Sequence, residues 1–445
     1  MSQPPSALAH FRAECYQAFG LRRASVSDLI DAVLTSERGT SFVQLSQSPL
    51  FRRKWSSLFD ALAEGSLDIP ALQRLLVRTL PPPDAAGVPI WAIDGSVWCR
   101  PDAHTSAERT YVRAMHRGQP QSRIVAGWEY QWLMAVPETQ GSWVLPLSVA
   151  RRSPTAGTPT DLAIDQVRSV LQAAVPDAPR PVVVLDSHYD LPQLVQAQLA
   201  VDWVARLARN RRFFRVPPPY AGRGCPPKHG PVFRLAAPHT HGSPDHQQTW
   251  DDAAHGAVTI SVWERLHAQA TQAVEVTVVQ VTVAHLAAGR PAPAPLWLAW
   301  HGAQLPADLR QLWWWYQRRF AIEHGFRFLK QQLGWTLPRL RTPQQADRWS
   351  WLLALVLWQV WLGRALVVDA RLPWERPLPA DRLSPGRVRR AMGSVLTQLD
   401  DRGPPPKPRG NPGGRPTGQR PRPAPRYPVH RRTPPSTPTA AAKAP

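Results

Sequence analysis

Cysteine is scarce in this 445-residue chain: the three present, Cys15, Cys99 and Cys225, lie far apart, with no CxxC pair and no adjacent histidine pair. That excludes a disulfide framework and a cysteine zinc site, and it suits a reducing cytoplasm. Long apolar runs are missing too. The most hydrophobic stretch, 349–368, is interrupted by Gln359, Gly363 and Arg364, so its unbroken part is too short to span a bilayer. The N-terminus shows no apolar segment of the kind that directs secretion, and no membrane role is expected. Acids are outnumbered, 32 Asp and Glu against 53 Lys and Arg, for a net charge of +21. Such an excess calls for a polyanionic partner: nucleic acid first, an anionic membrane surface second, ribosome association third. A GC-rich genome also favours Arg, Ala, Pro and Gly codons, so charge alone does not choose. Tryptophan is abundant, with 20 residues, and indoles beside arginines can stack on exposed bases, although most serve core packing.

The most informative stretch is Tyr316–Lys330, which reads as one long helix with two stripes. At about 100° per residue, Ile322, Phe326, Leu329 and Leu333 share a narrow apolar arc, and Tyr316, Arg319, Glu323 and Lys330 share a second arc of roughly 60° beside it. A carboxylate flanked by a phenol, a guanidinium and an ammonium suits phosphate handling: the acid can hold a metal while its neighbours hold phosphate oxygens. The plainer reading is a solvated face with i,i+4 and i,i+7 charge pairs. Two further acids, Asp94 and Asp186, each close a short β-branched run and precede a small polar residue. A buried strand delivers an acid to a sheet edge in this way, although such an aspartate can also cap a turn or helix. Together, two strand-end aspartates and a helical glutamate on a basic chain suggest a carboxylate triad for two Mg²⁺ or Mn²⁺ ions.

The order Asp, Asp, Glu, with Tyr-x2-Arg-x3-Glu-x6-Lys around the last acid, resembles the DDE transposases of the IS4/IS701-type insertion-sequence group. Asp94-Gly-Ser, Arg100-Pro-Asp-Ala-His104, Gly127-Trp, Leu185-Asp-Ser-His-Tyr-Asp190 and Gly334-Trp-x-x-Pro-Arg-Leu-Arg341 also look like actinobacterial members of that group, over roughly residues 85 to 400. The resemblance implies an α/β fold with an RNase H-like mixed-sheet core and a β-rich insertion between the second Asp and the Glu. It implies cut-and-paste DNA transposition, with Asp94, Asp186 and Glu323 as catalytic and metal-holding residues. Tyr316, Arg319 and Lys330 would contact phosphates of the transposon end. Double-stranded DNA, both terminal inverted repeats and target, would be the partner, and joining two ends implies a homodimer in the DNA complex. A cytoplasmic, nucleoid-associated setting follows.

Apolar spacing divides the chain into a helical N-terminal part, 1–82, with a possible role at the DNA end and a basic Arg52-Arg53-Lys54 cluster; a first core part, 83–207; a β-rich insertion, 208–308; a second core part, 309–402, with the Glu helix; and a basic Pro/Arg-rich tail, 403–445. Pro81-Pro-Pro-Asp84 reads as a linker. The first and fourth strands of an RNase H-like sheet lie side by side, which would bring Asp94 and Asp186 together. Asp190 reads as a helix cap. Thr342-Pro343-Gln-Gln345 opens a capped core helix. In the insertion, Arg209, Arg211 and Arg212, with Arg206 and Arg215, could line a strand channel by charge, and Trp297 and Trp300 could stack on a flipped base or simply fill the core. The tail has too little apolar surface to offset ordering entropy and is expected to be disordered. Two other readings stand beside transposition. One is an RNase H-like nuclease or an inactive transposase-derived DNA-binding protein; the other is a basic DNA-binding protein without catalysis.

Overall fold

The computed structural model describes residues 6–36, 41–83, 87–114, 122–139, 141–176, 178–220, 222, 224–286, 290–399, 416–418 and 423–432. Five helices come first: α1 (Ala7–Gln17), α2 (Arg23–Thr35), α3 (Phe42–Leu45), α4 (Ser56–Glu64) and α5 (Ile69–Arg78). Strands β1 (Ile90–Cys99), β2 (Thr110–Ala114), β3 (Arg123–Ala135) and β4 (Leu145–Arg151) follow, then α6 (Pro159–Ala173), β5 (Val182–Leu185), α7 (Leu191–Gln196) and β6 (Asp202–Arg206). A strand-rich stretch holds β7 (Arg212–Phe214), β8 (Val232–Arg234), β9 (His246–Asp252), β10 (Gly256–Ala268), β11 (Thr271–Val283), β12 (His285–Leu286), β13 (Arg290–Pro291) and β14 (Leu296–His301). Four helices close the chain: α8 (Arg310–Arg318), α9 (Ala321–Arg327), α10 (Pro343–Gly363) and α11 (Pro385–Leu399).

The fold is mixed α/β, built on one large mixed sheet in the order β2-β3-β1-β5-β6-β14-β11-β10-β7-β8, with β4 also pairing β3 and β9 also pairing β10. β1, β3 and β4 are antiparallel, whereas β1, β5 and β6 run parallel. The expected adjacency of the two acid-bearing strands is therefore present: Ala92 pairs Val184, and the register carried two residues on sets Asp94 against Asp186. β1 does not stop at Asp94, as its sequence suggests, but continues to Cys99 along β3. Asp94 thus stands where β5 ends and leaves an open notch in the sheet. Apart from β12 and β13, which pair with each other as a two-stranded ribbon, the strands of 208–308 do not make a separate sheet: β14 pairs β6 antiparallel, so the core sheet runs on through them.

Neighbouring residues of a strand point to opposite faces, and Tyr130 and Gln131 show which helices cover each. Tyr130 donates to Asp347 of α10 (2.7 Å), and Gln131 lies against Gln166 of α6 (3.0 Å). α10 is apolar nearly all round because it is central. It packs on β4 and is wrapped by α1, α2, α4 and α11, so the N-terminal helices share the core of the sheet. Its capping box forms as the sequence predicts, with Thr342 accepting from the Gln345 amide. Among the described residues no helix is long and apolar enough to cross a membrane.

Part of the Pro/Arg-rich tail departs from expectation. Most of 403–445 lies outside the described residues, as does Asp84 of the linker, but 423–432 is seated on the sheet edge, bridging in parallel to Thr110 of β2 through His430. Backbone hydrogen bonding to an edge strand and arginine pairing replace the apolar burial that this composition lacks.

Candidate active site

Tyr316–Lys330 is not one uniform helix. α8 ends at Arg318, and Arg319 and Phe320 make a tight turn: the amides of Ile322 and Glu323 donate to Arg319 and Phe320 three residues back, at 3.0 and 3.1 Å. After α9 the backbone loosens into a π-turn over Phe328–Gln332, closed by Gly334 at φ +70°. Overwinding at one point and underwinding at the other break the 100° projection. The four polar residues therefore do not share one arc, which corrects the sequence reading.

Tyr316, Arg319 and Glu323 remain together. Arg319 is the hub: Nη1 donates to Asp94 Oδ2 at 2.9 Å, Nη2 stands 3.6 Å from Glu323 Oε1, and the guanidinium lies 5.9 Å from the Tyr316 ring centroid. α8 packs on β5 and β6 and α9 on β1, which is how the helix pair presents Arg319 and Glu323 to the sheet notch. Asp94 also accepts from the Gly95 amide (2.7 Å). Asp186 accepts from the His188 amide (2.9 Å), and His188 Nδ1 lies 2.6 Å from its other oxygen. Lys330 turns away. Its ammonium sits 5.9 Å from the Trp335 ring, and it makes no ion pair with Glu323 among the described residues. Burial holds it below the ordinary lysine range, against the opposing pull of the nearby Cys99 thiol.

Burial raises the proton affinity of Asp94, Arg319 opposes this, and nearby Asp186 adds to it. Burial disfavours the Arg319 charge, but Asp94, Tyr316 and Asp186 outweigh it and hold the guanidinium above its ordinary range. A carboxyl whose folded-state pKa is raised contributes stability that is complete in acid and is lost as pH rises through that raised value. Asp94→Asn is thus expected to raise the melting temperature near neutral pH, with the gain shrinking as pH falls through the raised value and gone below the ordinary carboxylate range; thermal melts from neutral pH down to that range check it. A variant less stable than the parent at neutral pH would contradict this account.

The predicted arginine cluster lies where it can serve the same site. Arg206, Arg211 and Arg212 line a groove of about 320 Å³ whose other wall is Ser187, Tyr189 and Asp190, the loop that follows Asp186. Arg212 donates to Gln269 Oε1 (2.5 Å), Arg215 donates to the His241 carbonyl (2.6 Å), and Arg209 is exposed. Asp190 caps α7 through the Gln193 amide, as expected. The proposed stacking tryptophans are corrected. Trp297 and Trp300 are each 3% exposed, the first among Phe233, His241 and Trp263 and the second stacked on Trp315 at 5.6 Å, so neither can meet a base. The aromatic that the site presents is Phe320, 53% exposed between Arg319 and Glu323.

Three residues at or near the site carry no role in the sequence alone. His188 is legible afterwards as Asp-x-His on a strand-end loop. Glu129, on β3, has no local signal. Arg100 opens one of the sequence phrases and donates to the carbonyls of Pro338 (3.0 Å) and Leu340 (2.5 Å) in another, tying the end of β1 to the loop behind the π-turn.

A chain with two carboxylates facing each other across parallel strands, and a third reaching them through an arginine, fits an acid-dependent phosphodiester enzyme. Residues 14–269 match the DDE superfamily endonucleases, and the chain belongs to that family. A search of curated proteins finds no match. The family is one of nucleases acting on DNA and generally uses divalent metal ions. The match spans Asp94 and Asp186 and ends before Arg319 and Glu323. Oxygen-rich Asp94 and Asp186 have the donor chemistry that Mg²⁺ or Mn²⁺ takes. Among the described residues no three of His, Cys, Asp and Glu stand close enough to hold an ion, since Glu323 meets the pair through Arg319.

Proposed function

We propose that this protein is a DDE transposase of the IS4/IS701 type, with an RNase H-like core, that cleaves insertion-sequence ends and joins them to target DNA. The observation that supports this most is the Arg319 hub: one guanidinium pairs with Asp94 and Glu323, while Asp94 faces Asp186 across parallel strands. Asp94, Asp186 and Glu323 would hold two divalent ions, which supply charge neutralisation at phosphorus and a more acidic attacking water. The chain's own residues do the rest. Arg319, backed by Tyr316, orients Asp94 and Glu323 before DNA arrives. Arg206, Arg209, Arg211 and Arg212 attract the phosphate backbone, and Lys330 adds a cation at the far end of β1. Phe320, beside Glu323, offers a face to an unpaired base.

Two displacements at phosphorus serve each transferred strand. Water breaks the bond at the element end and frees a 3′-hydroxyl, leaving the phosphate on the flank; that hydroxyl then attacks a target phosphodiester and expels the target's 3′-hydroxyl, with no covalent bond to the protein. Two ends must be held together, so a homodimer on DNA belongs to this reading.

The test is cleavage of labelled duplexes carrying the element's flanking ends, in Mg²⁺ and in EDTA, with a supercoiled target included. Metal-dependent nicking followed by joined products is expected. Nicking without joined products would leave a nuclease, and binding without nicking in Mg²⁺ would leave a DNA-binding descendant.

A further inference from the structure

We propose that residues 423–432 form a DNA-phosphate-binding arm, seated beside the active acids by Glu129; this rests on the DNA reading above. The arm is held at two points. At the first, the Tyr427 amide donates to the His104 carbonyl and the His430 amide to the Arg109 carbonyl, both at 2.8 Å, and Arg109 Nη2 returns a bond to the Tyr427 carbonyl at 3.1 Å. Arg109 is 1% exposed and has no carboxylate partner among the described residues; its other bonds go to the carbonyls of Ser106, Arg100 and Pro101. A buried guanidinium satisfied by carbonyls from separate segments is a specific socket, and the arm supplies one of them.

At the second point Arg432 pairs with Glu129 and donates to the Arg152 carbonyl at 2.9 Å. Arg152 itself stands 3.5 Å from Glu129. Glu129 belongs to the neighbourhood of the acids. Its Oε1 lies 3.9 Å from where a Cβ on Gly95, next to Asp94, would stand. The buried Tyr189 hydroxyl feels Asp94, Asp186 and Glu129 together, which with burial hold its pKa well above the ordinary range.

While these groups are spent inward, Arg426 and Arg431 are exposed and make no ion pair or hydrogen bond among the described residues. A seated segment with neutralised anchors and two outward guanidiniums is built to meet phosphate oxygens at a fixed place. A disordered basic tail would contribute charge at no fixed place.

The two cases differ in sign at Glu129. Glu129→Ala deletes a negative charge near the DNA path, so charge alone makes binding to a short random-sequence duplex tighter. The seated arm makes it weaker, by severalfold, and speeds hydrogen exchange at the Tyr427 and His430 amides; Glu129→Gln, which can still accept from Arg432, falls in between. Arg426→Gln with Arg431→Gln should reduce the slope of log K against log salt by about 2, near 0.9 for each phosphate that is no longer neutralised. Equal or tighter binding by Glu129→Ala, or an unchanged salt slope in the double variant, overturns the arm. Binding of the parent without metal-dependent cleavage overturns the transposase reading and leaves the arm standing.

Discussion

Glu323→Gln is expected to bind DNA as the parent does and to cleave it about a thousandfold more slowly, a barrier increase of ~4 kcal/mol. The substitution keeps the shape of the side chain and its place on α9, and it removes only the charge. Two consequences separate. Arg319 loses its weaker partner, at 3.6 Å, and keeps the stronger one, Asp94 at 2.9 Å, so the hub stays in place. The third carboxylate is lost from a site whose other two acids already repel each other, and a single neutral oxygen cannot replace it for a divalent ion. Glu323 is about half exposed, with a side-chain accessibility of 47%, so little folding energy is at stake. Gel shifts, single-turnover cleavage and thermal melts on the same preparation check all three. A drop of tenfold or less in cleavage would remove Glu323 from the triad.

Trp335→Ala should be the most damaging single truncation for stability, at about 3–5 kcal/mol. Trp335 is fully buried, with ring centroids 5.1 Å from Trp132, 5.6 Å from Tyr130, 6.3 Å from Phe326 and 6.4 Å from Trp98. Its Nε1 donates to Ser350 Oγ at 2.8 Å, and its carbonyl accepts from Trp349 at 2.9 Å. These contacts join β1, β3, α10 and the exit of the π-turn at one residue. The hole left would be too large for neighbours held by three elements to fill, and the Ser350 hydroxyl would lose its donor. Denaturant melts measure the loss, and a change below about 1.5 kcal/mol would mean the aromatic cluster closes over the gap. Because Trp335 also carries the Lys330 ammonium over its face, the variant should relocate that cation.

Much of this was legible in the sequence where one local rule governs. β-branched runs gave the strands around Asp94 and Asp186; apolar spacing gave α2, α6 and α10; and Thr342 with Gln345 gave a cap. The sequence named Asp94, Arg319 and Glu323, which the structure brings together, but not their arrangement. Helical projection assumes constant winding, and the turn at Arg319 and Phe320 together with the π-turn at Phe328–Gln332 change it, which is why Lys330 was misplaced. For Trp297 and Trp300 the sequence left base stacking and core packing both open, because a tryptophan on a strand gives no sign of which face is covered; the structure has core packing. The join between β6 and β14 is a pairing across about 90 residues, and the seat of 423–432 depends on Glu129 and Arg109; neither leaves a local trace. Short β2, β7 and β8 carry too few residues for alternation to show.

The order in which the acids occur along the chain has a consequence for synthesis. A ribosome making this protein delivers Asp94 and Asp186 early, then the whole of β7–β14, and only afterwards Arg319 and Glu323, with the Trp335 and α10 supports later still. On the proposed triad, a fragment that stops anywhere in the strand-rich stretch carries Asp94 and Asp186 without Glu323. Cleavage by the three acids together would then require a chain translated past α9.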